Sequence, residues 1–184
     1  MKKMLVWLWA LISPAVFAQA QNFQGFGLSF DYSLNSITDV SSPGGTATSR
    51  SGIPSITADY YYSVSRNILI GAYGTYDLAT TDTAGGDPDA HNPFEAGGKL
   101  GYAFTDDLLG YIKLGYSWSK YSSPGYYQWL RGPSYGLGAE YLLTQNLFTR
   151  LEASTQRYKT VQWDDGSTDK VTISAYTLSL GWRF

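Results

Sequence analysis

The sequence predicts an all-β chain: an eight-stranded antiparallel transmembrane up-and-down β-barrel following a cleaved signal peptide. Three observations predict it. Eight segments alternate apolar and polar residues with a period of two, none of their apolar faces carries a charge, and short polar breaks recur about every 40 residues. The alternation is clearest in residues 171–184, where Tyr176, Leu178, Leu180, Trp182 and Phe184 share one face near the terminus. A soluble sheet seldom leaves such a row uncovered, whereas lipid covers it.

At the start of the chain, Lys2 and Lys3 precede an apolar run, residues 4–17, and then Ala18-Gln19-Ala20. These are the charged, hydrophobic and small-residue parts of a secretory signal. A membrane-anchoring helix needs about 20 apolar residues, and this run is shorter and interrupted by Pro14. Residues 1–20 are therefore expected to be a signal peptide, cut after Ala18 or Ala20, and residues 21–184 a single barrel domain. Setting aside Lys2 and Lys3 leaves 11 basic residues against 15 acidic ones, a charge of about −4, which excludes nucleic acid as an expected partner. With no cysteine, the exported fold must close by hydrogen bonding and packing. No cofactor is implied.

The breaks are Ser65-Arg66-Asn67, Thr105-Asp106-Asp107 and Thr144-Gln145-Asn146. Between them lie longer stretches rich in Gly, Ser, Asp and Pro, at residues 36–52, 79–92, 120–132 and 159–170. Short periplasmic turns and long external loops are the asymmetry of bacterial outer-membrane barrels. This placement puts both termini in the periplasm. In order, the expected outward faces carry Phe26 to Leu34; Ile56 to Tyr62; Ile68 to Leu78; Phe94 to Phe104; Leu108 to Trp118; Tyr135 to Leu143; Leu147 to Ala153; and the final row, each read at alternate positions. A Lys or Arg near the bilayer midplane costs roughly 2–4 kcal/mol, so eight uncharged faces weigh more than any single alternation. A water-soluble sandwich also alternates, but Tyr and Trp gathered at strand ends favour membrane interfaces.

The complementary face is charged. Counting up each strand from its periplasmic end brings Asp31, Asp59, Lys99, Lys113, Glu140, Arg150 and Glu152 to a similar height, as a lumen ion-pair network; Arg183 is expected lower, at the mouth, and Asp77 and Glu95 higher. The count at that level is four carboxylates to three cations, leaving one carboxylate to be protonated, solvated or paired elsewhere. An eight-stranded barrel is just wide enough for side chains to fill. Tyr61, Tyr73, Tyr111, Leu142 and Phe148 supply bulk, and inward glycines relieve it.

The stretches GGKLGYAFTDDL from Gly97, GLGAEYLLTQNLFTRLEAS from Gly136, and the terminal LSLGWRF resemble the transmembrane domain of outer membrane protein A and its small single-domain relatives, including opacity-type surface proteins. The likeness covers roughly half of the exported chain. It implies that Lys99, Glu140 and Arg150 match lumen ion-pair residues that act as a gate in that family. A further family carboxylate on the third strand is Tyr73 here, with Asp59 or Glu152 available in its place. It also implies that the row ending at Phe184 serves as a C-terminal signal for the barrel-assembly machinery, reached with periplasmic chaperones. Larger relatives continue into a peptidoglycan-binding domain, which this chain is expected to lack.

The expected role is an envelope structural or surface-interaction, adhesin-like protein of the Gram-negative outer membrane. Its expected partners are outer-membrane lipid and lipopolysaccharide, with a host or matrix ligand at the loops. Alternatives are a narrow gated ion channel and, further off, a lipid A-modifying enzyme. Catalysis is not expected: the one histidine, His91, lies in a loop-like sequence with no serine at a spacing that shares its face. Acidic runs at Asp82, Asp87 and Asp89, and at Asp164, Asp165 and Asp169, do not fit a Ca²⁺ loop, so no metal is expected. Tyr126, Tyr127, Trp129 and Arg131, with Leu130, are the best surface-contact residues, since aromatics with Arg dominate binding hot spots. Aromatics resting on the upper lipid interface would read the same way.

Overall fold

A computed structural model describes residues 20–42, 45–79, 81–82, 89–123, 126–162 and 168–184; the expected signal sequence, up to residue 19, lies outside them. Eight long strands form the barrel: β1 (Gly25–Ser42), β2 (Gly45–Ser63), β3 (Ile68–Asp77), β4 (Asp89–Ala103), β5 (Leu108–Ser123), β6 (Tyr126–Leu142), β7 (Leu147–Arg157) and β8 (Thr168–Arg183). Each pairs antiparallel with its neighbours in chain order, and β8 pairs with β1 from Gly27↔Arg183 to Ser42↔Thr168. The sheet is closed and has no free edge. Two-residue strands, Thr81–Asp82 and Val161–Gln162, add to β4 and β8.

The three short turns repeat one device. Ser65, Thr105 and Thr144 each accept, through the hydroxyl, the N–H of the residue three positions on: Ile68 at 3.2 Å, Leu108 at 2.9 Å and Leu147 at 3.0 Å. The backbone N–H groups of Val64, Phe104 and Leu143 close the same turns on the carbonyls of those three residues. A hydroxyl that satisfies the tip of a hairpin explains why each break begins with Ser or Thr.

The outward rows expected from the sequence face away from the lumen, with Leu114, Leu137, Leu151, Tyr176 and Phe184 among the most exposed large apolar side chains. At the other rim the described residues of the expected loops are mostly strand. Residues 36–42 and 45–52, read above as loop, extend β1 and β2 to 18 and 19 residues, and residues 120–123 and 126–132 extend β5 and β6 to 16 and 17. A tilted spanning strand needs about 9–11 residues, so these hairpins continue well past the bilayer. The outer face meets water rather than lipid there, so the apolar alternation that marks a strand in lipid fades, although Ile37 and Leu130 still point inward and are buried and the backbone ladder goes on. His91 likewise pairs in β4, opposite Lys120, rather than lying in a loop; its side chain is outside the described residues.

The core lies at the turn end. A short 3₁₀ helix, Ala20–Phe23, crosses the mouth, with Ala20 donating to the Arg66 carbonyl and the Asn22 amide to that of Asp106. Phe23 is fully buried among Tyr61, Leu69, Ala103, Leu109, Leu142 and Phe148.

Candidate functional site

Above this apolar floor stands a buried network of charges, and its pairing follows from register. On β6 and β7, Glu140 and Arg150 are direct cross-strand partners. Arg150 donates to Glu140 at 2.7 Å and also to Asp59 of β2. Asp59 accepts from Lys99 at 3.0 Å, and Arg183 donates to Glu140 at 2.7 Å and to Asp59 at 3.3 Å. Two carboxylates thus hold three cations, all nearly inaccessible. Rings complete the surroundings: Arg183 lies 5.1 Å from the Tyr61 centroid, Lys99 4.9 Å from that of Tyr111, and Arg150 5.0 Å from that of Phe148. Cations over ring faces gain attraction without another anion.

A second group sits toward the outside. Lys99 and Lys113 are opposite each other on β4 and β5, an arrangement that repels. They relieve it by pointing apart: Lys99 goes down to Asp59, and Lys113 goes up to Glu95 at 3.0 Å and to Glu152. Glu95 also accepts from Tyr73, Ser117 and Gln156, and Glu152 from Tyr111. The large rings fit because neighbouring strands place glycines beneath them. A β-carbon at Gly115 would collide with the Tyr73 hydroxyl, and one at Gly138 with that of Tyr111.

Six of the seven expected network residues are therefore joined: Asp59, Lys99, Lys113, Glu140, Arg150 and Glu152. Asp31 is the exception. Its oxygens accept from the hydroxyls of Ser29 and Thr57, and it has no ion pair among the described residues. Arg183 and Glu95, expected below and above the layer, belong to it instead, which makes the paired set four cations with four carboxylates. Height counted along a strand misplaced Arg183 because its long side chain reaches up from the mouth. Phe23 escaped the sequence reading altogether, although it is in phase with the inward residues of β1. Asp59 bridges Lys99 and Arg150, and Tyr73 donates its hydroxyl to Glu95.

Above the network, Asp31, Asp77 and Asn35 and hydroxyls of β1, β2, β3 and β8 line a polar cavity of about 60 Å³, whose lower wall is the network itself, Lys99, Lys113 and Arg150 with Glu95 and Glu152. By this measure one water needs about 10–15 Å³, so a few waters fit and a solute-sized channel does not. Tyr176, Leu178, Leu180, Trp182 and Phe184 form an unbroken outward row; Phe184 donates its N–H to the Phe26 carbonyl at 2.8 Å where β8 meets β1. Trp129 and Arg131 point outward from β6 and Leu130 inward, so they are strand residues rather than loop residues. The side chains of Tyr126 and Tyr127 lie outside the described residues. Among the described residues, no group of three or more His, Cys, Asp or Glu side chains is placed to hold a metal.

The outer membrane protein beta-barrel domain model matches residues 6–184. The chain belongs to that family. As one of these barrels it is an integral protein of the Gram-negative outer membrane, so the hydroxyl-capped turns are periplasmic. Among solved structures it is similar to Neisserial surface protein A, with a TM-score of 0.59, 16% identity and coverage of 88% of this chain and 98% of that one. It is also similar to Ail, the attachment invasion locus protein of Yersinia pestis, in complex with the heparin analogue sucrose octasulfate: TM-score 0.55, 14% identity, coverage 88% and 99%. At these identities the likeness is one of fold. No curated protein sequence matches the chain.

Proposed function

We propose that this barrel is a stand rather than a conduit: an envelope structural or surface-interaction, adhesin-like protein that holds rigid β-hairpins above the outer leaflet. The observation that carries this is the closed lumen, with Phe23 seated in an apolar floor beneath a fully paired layer of charge. The extensions of β1–β2 and β5–β6 beyond a bilayer's span provide the display. The hairpin arm carrying Tyr126, Tyr127 and Trp129, with Arg131 at its base, is the region assigned to a host or matrix ligand. The sulfated sugar bound by the Yersinia neighbour makes a sulfated polysaccharide the first ligand class to test.

We assign no catalytic role; a lipid A-modifying activity would rest on His91, for which the sequence offers no serine at a spacing that shares its face. The gated-channel reading is the second one, because Arg150 already bridges two carboxylates. Planar-bilayer recording separates the two: the closed lumen predicts no steady conductance, and a stable pore indifferent to replacing Lys99 or Arg150 would end this reading. Cells displaying the protein should bind heparin-coated surfaces and lose that binding when residues 126–131 are removed. The row from Tyr176 to Phe184 is assigned to recognition by the assembly machinery. Deleting Phe184 should lower outer-membrane levels in cells more than it lowers refolding yield in detergent.

A further inference from the structure

The outward face of the barrel is uncharged through the bilayer, and then, at one height, it is basic on β6, on β8 and just past the end of β7 between them. Lys159 donates its N–H to the Arg131 carbonyl at 3.0 Å, which sets it beside Arg131 of β6. Tyr158 donates to the Val171 carbonyl at 3.0 Å, which brings the next residue, Lys159, beside Lys170 of β8. Arg131, Lys159 and Lys170 thus form a row perpendicular to the strands, all exposed. Arg157 stands one step lower with its guanidinium 5.6 Å from the Tyr135 ring. Like charges in cross-strand register repel, and among the described residues no carboxylate occupies an outward position on β5, β6, β7, β8 or β1.

The height of the row is fixed by counting. Lys170 lies 12 residues above Trp182, Lys159 12 above Leu147, and Arg131 12 from Leu143, all of which are outward residues at the periplasmic end. At about 3.3 Å per residue and a tilt near 40°, that is roughly 30 Å along the barrel axis, just past an apolar band about 25 Å tall. Trp118, paired with Arg131 in register and 5.8 Å from the Phe94 ring, marks the aromatic girdle at that edge. The row therefore stands at the headgroups of the outer leaflet, where lipid phosphates would relieve the repulsion among its three cations.

We infer that Arg131, Lys159 and Lys170 form a binding site for the phosphate groups of an outer-leaflet lipid A headgroup, with the aromatic and aliphatic residues below them packing its acyl chains. The inference depends on the outer-membrane placement of the barrel and not on its adhesin-like role. A positively charged row at a rigid sheet surface presents the cations without the ordering cost of a flexible loop.

The test uses the full barrel refolded in detergent and titrated with bisphosphorylated lipid A or with the same lipid dephosphorylated, followed by tryptophan fluorescence. At about fivefold per basic side chain, the wild type should prefer the phosphorylated form by about a hundredfold. A triple variant, Arg131→Gln, Lys159→Gln and Lys170→Gln, should lose that preference while keeping heat-modifiable migration. Arg50→Gln, an exposed cation of β2 outside the row, should keep it. If the triple variant does not fold, Lys159→Gln alone should reduce the preference about fivefold. Equal binding of the two lipids by the wild type, or an undiminished preference in the triple variant, overturns the assignment. So does a soluble sulfated oligosaccharide that binds the same three residues more tightly than the lipid, since the site would then face a polyanion in water.

Discussion

The two ends of the lumen solve the same problem in opposite ways. At the periplasmic end charges are paired directly with one another, and among the described residues only the Tyr61 hydroxyl and Arg183 Nε lack a partner: Glu140 is fully buried between two guanidinium groups, and Phe23 and Phe148 are fully buried beneath them. In the outer half, polar groups lean on hydroxyls and on a small cavity. Asp31 is held by Ser29 and Thr57, and the Asn35 side-chain oxygen has no protein partner. Burial of charge is tolerated only where pairing is complete, so the end that is sealed is also the end whose integrity depends on individual residues.

The comparison is most easily broken at Glu140. Glu140→Ala leaves Arg150, Arg183 and Lys99 to share the single carboxylate of Asp59, and buried charge without compensation costs about 3–5 kcal/mol; urea-induced unfolding in detergent should show a loss of that order. Phe23→Ala removes the stopper. The expected cost is toward the low end of the 3–5 kcal/mol typical of burying and then truncating an aromatic ring, about 3 kcal/mol, because the segment lies at the barrel's mouth. Flickering conductance should appear in bilayer recordings where the wild type shows none. Asp31→Asn should be milder, about 1–2 kcal/mol, since it weakens two hydroxyl-to-carboxylate hydrogen bonds and breaks no ion pair. Asn35→Ala should change stability by less than about 1 kcal/mol, as an acceptor without a protein partner loses little. If Asn35→Ala proves as damaging as Glu140→Ala, the division of the lumen into a saturated and a permissive half is wrong.

Much of this was legible in the sequence, for a reason that also marks where it stopped. Inside the bilayer, lipid on one side and a narrow lumen on the other impose a strict period of two, so the outward row ending at Phe184 and the inward set from Asp59 to Glu152 could be assigned by parity. Parity says which face a side chain takes but not whom it meets. The bond from Arg150 to Asp59 crosses the lumen between β7 and β2, and Arg183 reaches Glu140 from the rim; both depend on barrel closure and side-chain length, which no single strand encodes. Beyond the bilayer the lipid half of that constraint disappears, and only inward residues such as Ile37 and Leu130 stay buried. Residues 36–42 and 45–52 are rich in Ser, Thr and Gly and read as loop, yet they pair residue by residue from Ser36↔Arg50 to Ser41↔Gly45. The row of Arg131, Lys159 and Lys170 was invisible for the same reason, since its members meet only through register.

The socket that receives Phe23 is assembled from Tyr61, Leu69, Ala103, Leu109, Leu142 and Phe148, contributed by all the strands from β2 to β7. Those residues are not neighbours until the sheet is nearly complete. One of the first segments of the barrel to be synthesised is thus among the last able to dock, and its seating reports that the intervening strands have found their places. A misregistered hairpin anywhere along the way would leave an aromatic side chain loose in the periplasm, where quality-control proteases read exposed apolar ends.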